Sequence, residues 1–232
     1  MMKTLGILGG MGPLASAEFV DTIYRLNVVE PEQEAPICLL HSDPSFPDRT
    51  EAILAGDTEP LAVLLAQALA KLAAMGADRI IIACVTIHQL LPQVAEPLRE
   101  RVVSLVDLAL DEVLRNPRPL LLMATRGTRA GRIFESHERW ELAKSWVRVL
   151  EEPDQRRFHD WVYLVKANHP VEEGIEWLDT LSSKYGTAGY LCGCTELHIL
   201  VKALQRRTGY FDPRFIDPLL LVAQALPTLL AA

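Results

Sequence analysis

No apolar run in this sequence reaches the roughly 18 to 20 residues that a membrane-spanning helix needs. No secretory leader is expected: Met1–Gly10 reads as a short apolar strand running into glycines, not as a charged segment before a long apolar one. Cysteine is scarce, four in 232 residues, too few for a disulfide-stapled scaffold. A reducing, cytoplasmic setting with free thiols is the expectation that follows. Positive charge is in deficit, with 23 Lys and Arg against 30 Asp and Glu and a net charge of −7. That balance argues against a nucleic-acid or anionic-membrane partner. It leaves room for a local basic pocket that binds a small acid.

The remaining composition is that of a globular protein, with 50% apolar and 23% charged residues. The length suffices for one large domain or two small, closely packed ones. Short apolar runs at Thr4–Leu8, Ile37–His41, Arg79–Ala83, Val102–Leu105, Leu120–Ala124, Val147–Leu150, Gly189–Cys192 and Arg214–Ile216 read as strands. Helical periods separate them. Thr58–Met75 is rich in Ala and Leu, starts at the cap candidates Asp57 and Thr58, and stops at Gly76. Ala17–Asn27 carries Phe19, Val20, Ile23 and Tyr24 on one face. Alternation of this kind predicts parallel sheets built from βαβ units.

The chain also repeats itself. Cys84 follows Gly76 by eight residues, Cys194 follows Gly186 by eight, and a histidine lies four beyond each cysteine, at His88 and His198. Strand Leu5–Leu8 runs into a loop with Gly12, and strand Leu120–Met123 into a loop with Gly127. The reading is an α/β fold of two pseudo-symmetric subdomains, each a roughly four-stranded parallel sheet flanked by helices, with the site in the cleft between them. Asn116-Pro117-Arg118-Pro119 marks the break, giving subdomains 1–116 and 117–232, with the last helix packing back on the first.

In open parallel sheets, ligands bind beyond the carboxyl ends of strands. Cys84 and Cys194 both fall there, at the start of the next helix, where free N–H groups and the helix dipole are expected to lower a thiol pKa. Two such thiols facing each other suit stereoinversion, one removing a Cα proton while the other delivers one to the opposite face. A free cysteine is also a common small core residue, and Cys38 and Cys192 fit that description. The paired Cys-x-x-x-His spacing could alternatively supply four zinc ligands, since positions i and i+4 share a helix face. Gly10-Met11-Gly12-Pro13-Leu14-Ala15 matches a dinucleotide-binding fingerprint, but Pro13 removes an amide and the nearest acidic candidate, Asp43, is 28 residues past Ala15. The same glycines can present N–H groups to a carboxylate. Arg49 could clamp a carboxylate bidentately. Thr125 and Thr128 could donate hydroxyls, or Thr128 could cap a helix. Lys166 is a lone cation ending an apolar helical stretch.

Leu5-Gly6-Ile7-Leu8-Gly9-Gly10-Met11-Gly12-Pro13, Pro47-Asp48-Arg49-Thr50, Ala124-Thr125-Arg126-Gly127-Thr128, Lys166 and Gly193-Cys194-Thr195-Glu196-Leu197 occur in this order. Together they resemble the aspartate/glutamate racemase family, amino-acid racemases that use two cysteines and no pyridoxal phosphate. The resemblance covers nearly the whole chain. It implies a cofactor-independent racemase or epimerase of a small acidic amino acid, a homodimer, Cys84 and Cys194 as acid/base thiols, and no metal. It also implies Arg49 and Lys166 at the side-chain carboxylate. Met11, Thr86, Thr125, Thr128 and Thr195 would hold the head group, with Val85, His88, Glu196 and His198 as supporting candidates. The chain departs from the family pattern twice. The family's asparagine after the first catalytic cysteine is Val85, and the proline after the Glu-Leu of the second motif is His198. These changes motivate two alternatives: a related isomerase or decarboxylase acting on another carboxylic acid, or a ligand-binding homologue with weak or no turnover.

Overall fold

A computed structural model describes residues 3–231; Met1, Met2 and Ala232, at the outer ends of the two expected subdomains, lie outside the described residues. The first half runs β1 (Thr4–Gly9), α1 (Pro13–Leu26), β2 (Ile37–Ser42), α2 (Arg49–Ala55), α3 (Glu59–Ala74) and β3 (Arg79–Ile82). A 3-10 helix (Thr86–Gln93), α4 (Glu96–Arg99) and α5 (Leu105–Arg115) follow. The second half runs β4 (Leu120–Ala124), α6 (Arg126–Ala130), α7 (Trp140–Ala143), β5 (Val147–Val149), α8 (Glu152–Lys166), α9 (Glu172–Tyr185), β6 (Gly189–Gly193), α10 (Leu197–Thr208), β7 (Phe215–Ile216) and α11 (Pro218–Ala231).

All strand pairs are parallel. The sheet orders are β2-β1-β3 and β5-β4-β6-β7. The central strands β1 and β4 are apolar on both faces and buried on both, as sheets covered by helices require. β1, β2 and β3 therefore correspond to β4, β5 and β6. The fourth strand expected at Val102–Leu105 shrinks to one bridge, Ile80 to Val102. Its rung is made by Ile80 N–H to Arg101 O (2.7 Å) and Val103 N–H to Ile80 O (2.9 Å). The chain then turns away because the Ser104 side chain accepts from Asp107 N–H and starts α5. β7 holds the equivalent place beside β6 in the second sheet.

Two glycines set the repeat. Gly76 (φ 96°) and Gly186 (φ 61°) end α3 and α9 in left-handed conformations that other residues adopt at a cost. Each sends the chain into the strand that delivers a cysteine. The halves are not separate cores. Leu5, Ile7, Phe19 and Ile23 share one buried cluster with Leu120, Leu191, Ile216, Leu219, Val222 and Leu226. α11 lies against α1, where Asn27 Nδ2 donates to Ala223 O at 2.9 Å. Among the described residues, no helix is long and apolar enough to cross a membrane.

Candidate active site

The loops at the carboxyl ends of β1, β2, β3, β4 and β6 converge. After β1, Gly10 turns at φ 92°, and a Cβ there would lie 2.3 Å from the Asp43 backbone, so the two loops pack backbone to backbone. After β2, Asp48 caps α2 by accepting Glu51 N–H at 3.0 Å. This capping seats Arg49 inward, 9% exposed. Its guanidinium donates from Nη1 to Pro47 O (3.0 Å) and Phe46 O (3.4 Å), and from Nη2 to Met11 O (2.8 Å), while Nε has no partner. Arg49 thus ties two loops together and keeps one donor edge uncommitted.

These loops enclose about 280 Å³ of empty space, open solvent at the mouth included. The first half contributes Met11, Asp48, Arg49, Thr50, Cys84, Val85 and Thr86; the second contributes Thr125, Lys166, Cys194, Thr195 and Glu196. Cys84 and Cys194 are each 5% exposed. Cys192 is buried in the apolar cluster of the second half, and Cys38 is half-buried at the edge strand β2.

The expectation that a helix start lowers both thiols fails at Cys194. α10 begins only at Leu197, and the residue before it is acidic. Cys194 Sγ–H donates to Glu196 Oε2 at 2.8 Å. Burial pushes the thiol well up, and the Glu196 carboxylate adds to the effect against a smaller opposing pull from Lys166. On the other side, Cys84 precedes a 3-10 helix rather than an α-helix. Val85, 2% exposed, joins the same apolar cluster as Phe134.

The threonines form a connected group. Thr86 Oγ1 lies 2.8 Å from Thr128 Oγ1 and 3.3 Å from Thr125 Oγ1; the latter two are 3.1 Å apart. Thr125 also caps α6 by accepting Thr128 N–H. Thr128 is not on the pocket wall; it holds Thr86 and Thr125 from behind. Thr195 Oγ1 gives its hydrogen to Ala83 O at 3.1 Å, so that proton is committed to joining the halves. Lys166 Nζ sits 3.9 Å from Glu196 Oε1 and 4.7 Å above the Tyr163 ring.

Neither histidine reaches the pocket. His88 Nδ1 is 2.9 Å from Cys84 O, and Nε2 accepts Leu105 N–H at 3.3 Å. An acceptor at Nε2 places the proton on Nδ1, and burial lowers its pKa to about 4. His198 Nε2 lies 2.9 Å from Thr22 Oγ1 and Nδ1 2.5 Å from Asp217 Oδ2, bracing α10 against α1 and the start of α11. With both rings committed, the four-ligand zinc arrangement has no geometry, and no group of three candidate metal ligands occurs among the described residues. The dinucleotide reading meets a carboxylate: a Cβ on Gly12 would lie 2.3 Å from Glu196 Oε1. An anion already stands where the fingerprint needs a phosphate.

Sequence reasoning missed three residues. Asp48 accepts Tyr163 O–H at 2.6 Å, a bond between the halves at the pocket edge. Burial would raise Asp48, but the bonds from Tyr163 and Glu51 N–H hold it below the usual range; burial and that same carboxylate push the Tyr163 phenol up. Thr50 packs so closely on Gly127 that a Cβ there would lie 2.8 Å from Thr50 Cα. The signals were available: Asp48 and Glu51 have the cap spacing, and Tyr163 shares a helix face with Lys166.

A family model described as Asp/Glu/hydantoin racemase matches residues 8–226. Among solved structures, the Picrophilus torridus aspartate racemase is similar with a TM-score of 0.81 at 23% identity, over 97% of this chain and 94% of that one. An aspartate racemase homologue from Pyrococcus horikoshii OT3 gives 0.70 at 20% identity over 100% of both chains. The Francisella tularensis glutamate racemase, in complex with D-glutamate, gives 0.66 at 16% over 99% of this chain and 81% of that one.

Proposed function

We propose, from the premise that the chain belongs to the Asp/Glu/hydantoin racemase family, that it racemises or epimerises a small acidic amino acid of the aspartate or glutamate type without a cofactor. One observation carries the reading: Cys84 and Cys194, delivered by corresponding strands of two sheets, line a single small pocket. One thiolate takes the Cα proton from one face. The opposite thiol gives a proton to the other face, and the roles exchange for the reverse direction. Thr86, Thr125 and loop amides hold the α-carboxylate and stabilise the charge that develops as the proton leaves, with Thr128 fixing the two hydroxyls. Arg49, through its uncommitted Nε, and Lys166 recognise the side-chain carboxylate.

Subdomains 1–116 and 117–232 belong to the same reading, supported by Pro117 and Pro119 between α5 and β4. A homodimer does too. The exposed Val28, Ile37 and Leu40 around the edge strand β2 support it.

The test is deuterium entering Cα from heavy water with D- or L-aspartate or glutamate, read by NMR. Expected is exchange with inversion in the wild type and the loss of inversion in Cys84→Ala, which keeps exchange only on the face of Cys194. Equal inversion in both removes Cys84 as an acid/base group. Val85 favours a second reading, a related isomerase or decarboxylase on another carboxylic acid. Carbon dioxide release or double-bond isomerisation without racemisation would establish that instead.

A further inference from the structure

Two buried polar atoms at the pocket lack partners, and they belong to groups of opposite charge: Arg49 Nε and Glu196 Oε1. Both side chains are more than nine-tenths buried, Arg49 at 9% and Glu196 at 2% exposure. Folded proteins seldom leave such atoms bare, and two on residues that line one pocket point to a ligand that completes them. Glu196 Oε2 is taken by the Cys194 thiol, so only Oε1 is free. Lys166 Nζ, at 3.9 Å, is outside hydrogen-bond range of that oxygen. The opposite wall offers the head group of an amino acid no side-chain amide, because Val85 stands beside Cys84.

We infer that Glu196 Oε1 receives the α-ammonium of the ligand while Arg49 Nε takes a carboxylate. The pocket then selects a zwitterionic amino acid over a plain dicarboxylate or a ring-closed hydantoin, neither of which carries an ammonium group. This deepens the proposed racemase reading and rests on it for the identity of the site, but its test reads binding and needs no turnover. A carboxylate that pairs with an ammonium makes a charge-assisted bond stronger than a neutral one. The Val85 departure is thereby answered from across the pocket rather than by a neighbour.

The experiment is calorimetric titration of the full chain with aspartate and glutamate, each against its des-amino counterpart, succinate or glutarate, and against the hydantoin made from aspartate. In the wild type the amino acids are expected to bind roughly tenfold or more tighter than the diacids, the scale of a charged hydrogen bond in a buried site. Glu196→Gln keeps the side chain's shape and removes its charge. It should shrink that preference to within about threefold and leave diacid affinity unchanged or improved. Wild-type protein that binds succinate as well as aspartate overturns the inference, and so does a Gln variant that keeps the preference. The wild-type panel decides even if the variant does not fold. Amino-acid preference without deuterium at Cα would sink the racemase reading and leave this one standing; deuterium at Cα without the preference would do the reverse.

Discussion

The loop after β3 and the loop after β6 carry a cysteine at the same step of the repeat, each 5% exposed, yet the two thiols meet different partners. Cys194 Sγ–H is bonded to the Glu196 carboxylate, and burial with that charge holds its proton on. Cys84 is followed by Val85 and an apolar cluster, and among the described residues no carboxylate accepts from its sulfur. Matching register therefore fixes where a thiol sits but not what it bonds to. In the proposed mechanism the resting enzyme presents Cys194 as the proton donor.

The largest expected effect tests that asymmetry. Either Cys84→Ala or Cys194→Ala should cut racemisation by roughly 10²- to 10⁴-fold, the range for losing a positioned acid or base. Each variant keeps one thiol, so each should still wash deuterium into the opposite enantiomer without inverting it. Exchange through the surviving Cys84 should be the faster of the two. Equal residual rates, measured by NMR on resolved enantiomers, would break the comparison.

The two histidines extend it. Both lie four residues beyond a cysteine, but His88 bonds two backbone groups and is held neutral, with burial lowering its pKa from 6.5 to about 4. Between those values the unfolded chain binds a proton that the folded chain refuses. Stability contributed by neutral His88 is present above pH 6.5 and is lost as the pH falls toward about 4. The loss is on the order of 3 kcal/mol. Denaturation of wild type and His88→Gln across that window should show a shallower acid dependence in the variant. Parallel curves would remove His88 as a source of acid sensitivity.

Much of this was legible before the fold. Apolar strands between helical periods, the glycines at 76 and 186, and the two cysteine loops were enough to expect parallel sheets and to bring Cys84 and Cys194 to one pocket, while Lys166 was pointed to only by the family resemblance. Partners were not legible, because they are set by tertiary geometry. Helix-face spacing put His88 and His198 near the thiols, yet their rings turn toward Leu105 N–H and Asp217. The dipole argument for Cys194 stopped at the helix start and did not weigh the carboxylate two residues on. The Val102 strand was cut to one rung by a cap at Ser104 that competes with pairing.

The smallest effect isolates the carboxylate. Two causes raise Cys194, burial first and Glu196 second, and Glu196→Gln removes only the second. Thiolate absorbance titrated in a Cys84→Ala background, with Cys194→Ala as the blank for Cys38 and Cys192, reads that sulfur without substrate. Removing a negative charge in hydrogen-bond contact favours the thiolate, so the midpoint should fall and the thiolate fraction at fixed pH should rise. Burial remains, so the midpoint should stay above that of an ordinary cysteine. An unchanged midpoint would mean that burial alone raises Cys194 and that the carboxylate does not set the two loops apart.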